Sequence, residues 1–211
     1  MSIVKNLFYK QGELSLNIPK WSFLDEGIVV LTGESGGGKS TLLKVLCGLL
    51  PCPCLNWNFK GKNLAQFEPS CRGIGFCFQD LRLFPLMTAR ENILFAVKAK
   101  KLSVRDKKKD FEEVVESLGL ANCLDLSIEK LSGGEKQRTA LARTLIVSHS
   151  ILFLDEPFSY LDSDNKNKAR ELVKKVTQRD KSPVLLVSHE KEELLAQQKF
   201  CLNQGQIHEM K

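Results

Sequence analysis

A glycine-rich run that ends in lysine, serine and threonine is the feature of the sequence with the clearest chemistry. Gly33 is followed by four residues and then by Gly38, Lys39 and Ser40. Glycines allow backbone N–H groups to close around phosphates because no Cβ stands in the way. The lysine can reach the β- and γ-phosphates of a nucleotide, and the serine hydroxyl can ligate Mg²⁺. The predicted phosphate-binding residues are Gly33, Glu34, Ser35, Gly36, Gly37, Gly38, Lys39, Ser40 and Thr41.

Two acidic residues, Asp155 and Glu156, directly follow an apolar run at residues 151–154. Open α/β sheets place their ligands at the carboxyl ends of the strands. Asp155 is therefore predicted to hold Mg²⁺, and Glu156 to polarise the water molecule that attacks a phosphate. An Asp-Glu pair on its own is more often a solvated loop, but the glycine-rich run elsewhere in the chain favours the catalytic interpretation.

A histidine, His189, follows another apolar run at residues 184–187. A single histidine is more often structural than catalytic. Because this one is predicted at the same sheet edge as Asp155, it can orient the γ-phosphate or the attacking water by hydrogen bonding.

The elements that must position these residues alternate between strands and helices. Two short extended runs come first, and Pro19 is predicted to stop the second. A purely apolar run at residues 28–31 precedes the glycines, and leucines at helical spacing follow them until Pro51. Residues 88–149 have a largely helical pattern, with Gly119 at the end of one helix. This alternation predicts an α/β core with a buried parallel sheet.

The composition is that of a globular protein with a substantial core. The 211 residues are 43% hydrophobic and carry a formal net charge of +6. This charge suits a protein that handles anions, but it is too weak to indicate nucleic-acid binding by itself. No stretch approaches the roughly 18 apolar residues that span a bilayer, and the N-terminus lacks a secretion signal. We therefore expect a cytoplasmic protein.

Seven cysteines without a secretion signal predict reduced thiols rather than a disulfide framework. Cys52, Cys54, Cys71 and Cys77 could together form a four-thiolate metal site. Their spacing matches no zinc pattern, and cysteine commonly behaves as a small buried hydrophobe, so the structural interpretation is preferred.

The segment from Leu131 to Arg138, which reads Leu-Ser-Gly-Gly-Glu-Lys-Gln-Arg, is the most informative in the sequence. A serine followed by two glycines opens a helix and offers backbone N–H groups to an anion. The segment resembles the signature motif of ATP-binding-cassette (ABC) ATPases, and it precedes the Asp-Glu pair by about twenty residues, as in that family. Gln79 resembles the Q-loop glutamine, residues 159–162 the D-loop, and His189 the switch histidine. The resemblance extends from about residue 28 to residue 205.

The resemblance implies a P-loop NTPase fold of the RecA-like type, in the α/β class. Its parallel-sheet core would carry N-terminal antiparallel β elements and an inserted α-helical subdomain. Residues 1–79 and 150–211 would form the ATPase core, and residues 80–149 the helical subdomain with the signature motif. Together they would make one nucleotide-binding domain.

In this family two subunits enclose two ATP molecules, and each phosphate loop faces the signature motif of the other subunit. The resemblance thus implies ATP and Mg²⁺ as ligands, with Mg²⁺ held by Ser40, Gln79 and Asp155. It implies Glu156 as the catalytic base, assisted by His189. The residues that would cap the γ-phosphate from the partner subunit are Ser132, Gly133 and Gly134.

Three further positions bear on the resemblance. Family members stack the adenine on an aromatic residue near the first strand; Tyr9 is the candidate, with Phe8 and Trp21 as alternatives. Asp162 of the D-loop would couple the two sites. Glu135 replaces the commoner glutamine of the signature and leaves its donors intact.

Residues 76–79, 83–85 and 91–93 resemble the corresponding segments of importer ATPases for oxyanions, metals and polyamines. We therefore expect a homodimer, bound to transmembrane permease subunits and peripheral on the inner face of the cell membrane. A groove near Gln79 would receive a short helix of the permease. The chain ends at Lys211, so we expect no C-terminal regulatory domain of the kind that many such importers carry.

Two alternatives remain open at this point. Related ATPases act on nucleic acid or ribosomes without any transport, but most carry long coiled-coil or zinc insertions or tandem cassettes, which this sequence lacks. We therefore expect no nucleic-acid partner. The basic stretch at residues 98–109 is interpreted as a solvated face, with contact to anionic lipid headgroups as the alternative.

Overall fold

The computed structural model describes residues 1–188 and 196–210. These residues form two compact units. The first comprises Met1–Gly75, His149–Glu156 and the described residues from Asp180 onward, and the second comprises Phe76–Ser148 and Pro157–Arg179. No helix among the described residues combines the length and the apolar character needed to cross a membrane.

A four-stranded antiparallel sheet begins the first unit. Its order is β2 (Leu14–Phe23), β1 (Ser2–Gln11), β4 (Asn56–Phe59) and β5 (Lys62–Asn63). The buried ring of Trp57 in β4 stacks on Phe153 with centroids 6.2 Å apart, and its Nε1 donates to Ser2 Oγ at 2.7 Å. The contact with Phe153 packs the sheet onto the strand that leads to Asp155, and the bond to Ser2 joins β4 to β1 within the sheet.

The prediction that Pro19 stops the second strand was wrong, because β2 runs through it to Phe23. The ladder passes from the pair Lys5–Lys20 to the pair Leu7–Ile18. Between them Asn6 adopts a positive φ of 55° opposite the proline, which has no N–H to donate. A local irregularity of this kind lets a strand accommodate proline and continue.

The second sheet has six strands, in the order β10 (Gln206–Met210), β9 (Gln198–Asn203), β3 (Gly27–Gly33), β8 (Pro183–Val187), β7 (Ile151–Asp155) and β6 (Ile74–Cys77). The central strand β3 runs parallel to β8 and β9, and β7 runs parallel to β8. Every residue of β7 and β8 is buried, which explains why both are apolar apart from Asp155 at the end of β7. The edge strands are β10 (Gln206–Met210), antiparallel to β9, and β6 (Ile74–Cys77), whose first two residues belong to the first unit.

Helix α1 (Lys39–Cys47) follows β3 and the glycine-rich loop. The leucine spacing predicted a helix as far as Pro51, but α1 ends at Gly48, which has a φ of 83° and donates its N–H to Val45 O at 3.0 Å. The buried guanidinium of Arg72 also bonds to Leu46 O at 2.6 Å, so this end of the helix is closed by partners that lie outside it.

The second unit is helical, as predicted for the inserted segment. It contains α2 (Ala89–Ala99), α3 (Lys108–Ser117), α4 (Gly133–Leu145) and α5 (Ser163–Asp180) up to Arg179. Helix α3 ends just before Gly119, which has a φ of 60°. Thr88 and Ser132 begin α2 and α4 with the same reciprocal capping box. The boundaries 79/80 and 149/150 stay a prediction.

Candidate active site

The glycine-rich loop links β3 to α1 and closes tightly on the N-terminal hairpin. Gly38 is the N-cap of α1 and has a φ of 93°. A Cβ at this position would lie 2.9 Å from side-chain carbons of both Leu14 and Leu16 in β2. The position therefore demands glycine for its backbone and for its space. The glycine-rich motif does not indicate that Leu14 and Leu16 contact the loop, because only the tertiary packing of the chain brings these residues next to Gly38.

Replacing Gly38 with alanine should distort the loop and weaken ATP binding. We expect the left-handed φ alone to lower the free energy of unfolding by about 1–3 kcal/mol. Gly61→Ala is the matched control, since Gly61 has a φ of 82° but open space where a Cβ would stand, with no neighbouring atom within 4 Å. ATP titration of both variants should show weaker affinity for Gly38→Ala alone; equal affinities would contradict this packing argument.

Lys39 is buried at the mouth of the loop. Its Nζ donates to Gly33 O at 2.9 Å and to Glu34 O at 2.7 Å. Burial lowers the pKa of this amine, and the nearby carboxylates of Glu156 and Asp155 act in the opposite direction. The loop thus holds an ammonium group among the backbone groups that would surround a phosphate.

Ser40, at the start of α1, meets Asp155, at the end of β7. Ser40 Oγ donates to Asp155 Oδ1 at 3.0 Å, and Asp155 is 1% exposed. Burial is the main factor that raises the pKa of this carboxyl, and the hydrogen bond from Ser40 acts against it. A buried carboxylate beside a hydroxyl suits Mg²⁺, which prefers oxygen ligands and adds compensating charge.

Glu156 occupies a constrained position at the same sheet edge. Its φ is 49°, a left-handed value that is uncommon for a residue with a side chain. Its N–H donates to Val187 O at 3.1 Å, which ties it to the neighbouring strand β8. A strained backbone held by the surrounding sheet is typical of residues whose side chain must point in one direction.

The three candidate aromatic residues for adenine differ in their surroundings. Tyr9 pairs with Leu16 across the hairpin, so it lies on the face that packs against the loop at Gly38. Phe8 lies on the opposite face and is exposed, whereas Trp21 is buried against Phe23 and Phe200. This arrangement favours Tyr9, whose contact with adenine stays a prediction.

The predicted signature residues lie in the second unit, at the start of α4. Ser132 and Gly133 are exposed. The N–H and Oγ of Ser132 donate to Glu135 Oε2 at 2.8 and 2.7 Å, and Glu135 N–H donates to Ser132 Oγ at 3.3 Å. The bonds from Ser132 lower the pKa of Glu135, so this carboxylate stabilises the helix start in its ionised form. Gly134 packs close to Tyr160 O, which lies 3.2 Å from the position of a Cβ on the glycine.

Three other predicted residues have different outcomes. Gln79 is exposed in the turn after β6 and belongs to the second unit, whereas Ser40 and Asp155 belong to the first, so its role as a metal ligand stays a prediction. His189 lies outside the described residues. Asp162 accepts hydrogen bonds from Asn165 N–H at 3.0 Å and from its Nδ2 at 2.6 Å, which lower the pKa of Asp162.

The cysteines do not assemble into a cluster of ligands. Cys52 Sγ and Cys54 Sγ lie 3.8 Å apart, Cys71 is exposed, and Cys77 is buried in β6. Across residues 1–188 and 196–210, no group of three or more His, Cys, Asp or Glu side chains is placed to hold a metal ion.

The glycine-rich loop, Ser40 and Asp155 all lie within the segment that matches a known family. The family model for ABC transporters matches residues 16–159, more than half of the chain. The chain belongs to the ABC transporter family. The family model confirms the predicted resemblance, and solved structures of ABC cassettes confirm the predicted fold class.

Curated ABC relatives resemble most of the chain. An uncharacterized ABC transporter ATP-binding protein of Sinorhizobium fredii, y4fO, is 34% identical over 188 residues, which cover 88% of this chain and 56% of the relative. The sulfate/thiosulfate import ATP-binding protein CysA of Bacillus cereus is 35% identical over 209 residues, which cover 96% and 57%. The chain therefore spans little more than half the length of these relatives.

Solved ABC structures resemble the whole chain. The ATP-binding cassette MJ0796, in a dimeric post-hydrolysis state bound to ADP and Pi, superposes with a TM-score of 0.87 at 28% identity, covering 100% of this chain and 98% of that one. An ATP-binding subunit of an ABC transporter has the same TM-score at 20% identity, which supports the fold alone. The prediction of an ATPase cassette is consistent with these structures.

Proposed function

We propose that this chain is the ATP-binding and ATP-hydrolysing subunit of an ABC transporter and that it uses ATP and Mg²⁺ to drive transport. The observation that carries the proposal is the 3.0 Å bond between Ser40 Oγ and Asp155 Oδ1 beside the amine of Lys39. A cation-binding pair of oxygens next to a phosphate-binding loop is what the hydrolysis of a nucleoside triphosphate requires.

The residues of the first unit have separate proposed roles in ATP binding and hydrolysis. The loop N–H groups and the Lys39 amine would bind the β- and γ-phosphates of ATP. Ser40 and Asp155 would hold Mg²⁺, which supplies positive charge against the phosphates when it is bound. Gln79 is assigned to the same ion on its motif alone. Glu156 would accept a proton from the attacking water. His189 is assigned the assisting role on its motif alone.

The signature residues imply that one chain holds only part of each site. Ser132 and Gly133 are exposed at the N-terminus of α4, where backbone N–H groups and the helix dipole favour an anion. We propose that they cap the γ-phosphate bound by a second copy of the chain, so that a homodimer encloses two ATP molecules. The dimeric cassette bound to ADP and Pi supports this arrangement.

Transport requires partners that span the membrane. The resemblance to an import ATP-binding protein supports import, with the chain peripheral on the cytoplasmic face of the membrane and bound to permease subunits. Leu86, seven residues after Gln79, is 97% exposed and would contact a short helix of the permease.

The test of this proposal is the ATPase activity of the purified chain with and without candidate partners. We expect Mg²⁺-dependent hydrolysis that double-stranded DNA does not stimulate, together with co-purification of a membrane protein from cells that express the chain. Hydrolysis stimulated by DNA, with no membrane protein recovered, would favour the nucleic-acid alternative instead. A chain that binds no ATP would contradict both.

A further inference from the structure

The turn that follows Gln79 contains two consecutive residues in an unfavourable backbone conformation. Leu81 has a φ of 59° and Arg82 a φ of 44°. Left-handed φ values are uncommon for residues with a Cβ, and two in succession need support from the surroundings. Strain directly beside a predicted site residue points to a functional reason for the conformation.

Local bonds provide part of that support. Leu81 N–H donates to Phe78 O at 3.0 Å and Arg82 N–H to Asp80 O at 2.7 Å. The guanidinium of Arg82 pairs with the Asp80 carboxylate at 3.1 Å and lies 4.4 Å from the centre of the Phe78 ring. These contacts tighten the turn upon itself, but they do not connect it to a helix.

Arg143, near the end of α4, makes that connection. Its Nη1 donates to Arg82 O at 2.8 Å and its Nη2 donates to Leu81 O at 2.8 Å. The guanidinium thus binds the carbonyls of the two strained residues with two separate nitrogens, and it lies 5.5 Å from the centre of the Phe84 ring. The guanidinium offers each carbonyl its own nitrogen in a fixed planar geometry, which the single flexible ammonium of lysine does not reproduce, so lysine is a poor substitute.

Asn92 of α2 fixes the far side of the same turn. Its side-chain Oδ1 accepts from Phe84 N–H at 2.8 Å, and its Nδ2 donates to Phe84 O at 3.1 Å. Asn92 is fully buried. The segment between Gln79 and Phe84 is therefore anchored at two points, and Arg143 is the anchor nearer to the glutamine.

We propose that Arg143 is a positioning residue that holds the strained turn and thereby fixes the orientation of Gln79. Arg143 belongs to the same helix as the capping residue Ser132, so the glutamine and the signature motif are attached to one rigid element. A shift of α4 would then move both groups together. The inference rests on the proposed ATPase function, in which Gln79 contributes to the Mg²⁺ site.

The test compares Arg143→Ala with the wild type and with Arg90→Ala. Arg90 is the matched control, because its guanidinium lies in the same unit but bonds to Asp125 at the surface. We expect Arg143→Ala to lower the ATPase rate about tenfold and to raise the Mg²⁺ concentration for half-maximal rate, since outer positioning groups affect metal binding by about 10–100-fold. Combining Arg143→Ala with Gln79→Ala should add little to the effect of Gln79→Ala alone.

A rescue experiment separates positioning from a general loss of structure. Glycine adopts a positive φ without strain, so Leu81→Gly should restore much of the activity in the Arg143→Ala background. Arg143→Lys should recover only part of the activity. The inference is wrong if the variant that combines Leu81→Gly with Arg143→Ala stays as impaired as Arg143→Ala alone. It is also wrong if the Mg²⁺ dependence of hydrolysis is unchanged in Arg143→Ala.

Hydrogen exchange of the peptide that covers residues 79–84 supplies a readout that needs no ATPase activity. Exchange should be faster in Arg143→Ala and unchanged in Arg90→Ala, because only the first loses the bonds to the turn. Unchanged exchange in both variants would overturn the inference even if hydrolysis is reduced in Arg143→Ala. A wild-type chain without ATPase activity but with the expected exchange difference would instead contradict the proposed function.

Discussion

Replacing Glu156 with glutamine should leave ATP binding intact and reduce turnover by about 10²–10⁴-fold, the range associated with a general base. The amide has nearly the same size as the carboxylate but cannot accept a proton from water. The N–H bond to Val187 O and the strained φ of 49° belong to the backbone and should persist in the variant. Steady-state hydrolysis and ATP titration would measure the two effects separately.

The same variant should accumulate as a dimer with ATP, because the nucleotide that closes two subunits is no longer consumed. Glu26→Gln is the matched control, since Glu26 is exposed just before β3 and takes no part in the site. The control should hydrolyse ATP normally and show no added dimer. Near-normal turnover in Glu156→Gln would show that another group is the base.

Replacing Ser132 with alanine should stop hydrolysis while the single subunit still binds ATP. The loop and the Ser40–Asp155 contact lie in the first unit, whereas Ser132 lies in the second, at the start of α4. A donor that stabilises charge in the transition state contributes about 10²–10³-fold to the rate. ATP affinity under conditions that keep the chain monomeric, followed by the hydrolysis rate, would test this separation.

The chain offers a matched control for the stability effect of that substitution. Thr88 caps α2 with the same box, in which its Oγ1 accepts from Glu91 N–H at 3.2 Å and its N–H donates to Glu91 Oε2 at 2.8 Å. Loss of either cap should cost about 1 kcal/mol of stability. Thr88→Ala should hydrolyse ATP at the normal rate, and only Ser132→Ala should lose hydrolysis. Equal activity losses would show that the cap alone matters.

Much of the first unit could be predicted because its chemistry is local in sequence. A glycine loop between a buried strand and a helix has few other uses, and the apolar run before Asp155 indicates its place at a sheet edge. The apolar run of β7 before Asp155 and the whole of β8 are buried on both faces, as their composition indicated. These elements could be predicted without information on contacts between residues that are distant in the sequence.

Features that depend on distant contacts could not be predicted. Pro19 continues a strand because Asn6 across the ladder adopts a left-handed conformation. Helix α1 ends early at Gly48, where Arg72, far along the chain, reaches the Leu46 carbonyl. Arg143 gave no signal, because an arginine on an amphipathic helix is usually solvated and its bonds join residues 61 and 62 positions apart.

In the proposed dimer, each hydrolytic site combines the loop of one subunit with the signature motif of another. Lys39→Ala removes the amine of the loop, and Ser132→Ala damages the signature, so each variant alone should be inactive. In an equal mixture, a mixed dimer has one site with both defects and one site with neither. Hydrolysis should therefore return on mixing, up to about a quarter of the wild-type rate for randomly paired subunits with independent sites. A mixture that stays as inactive as the separate variants would contradict this shared-site arrangement.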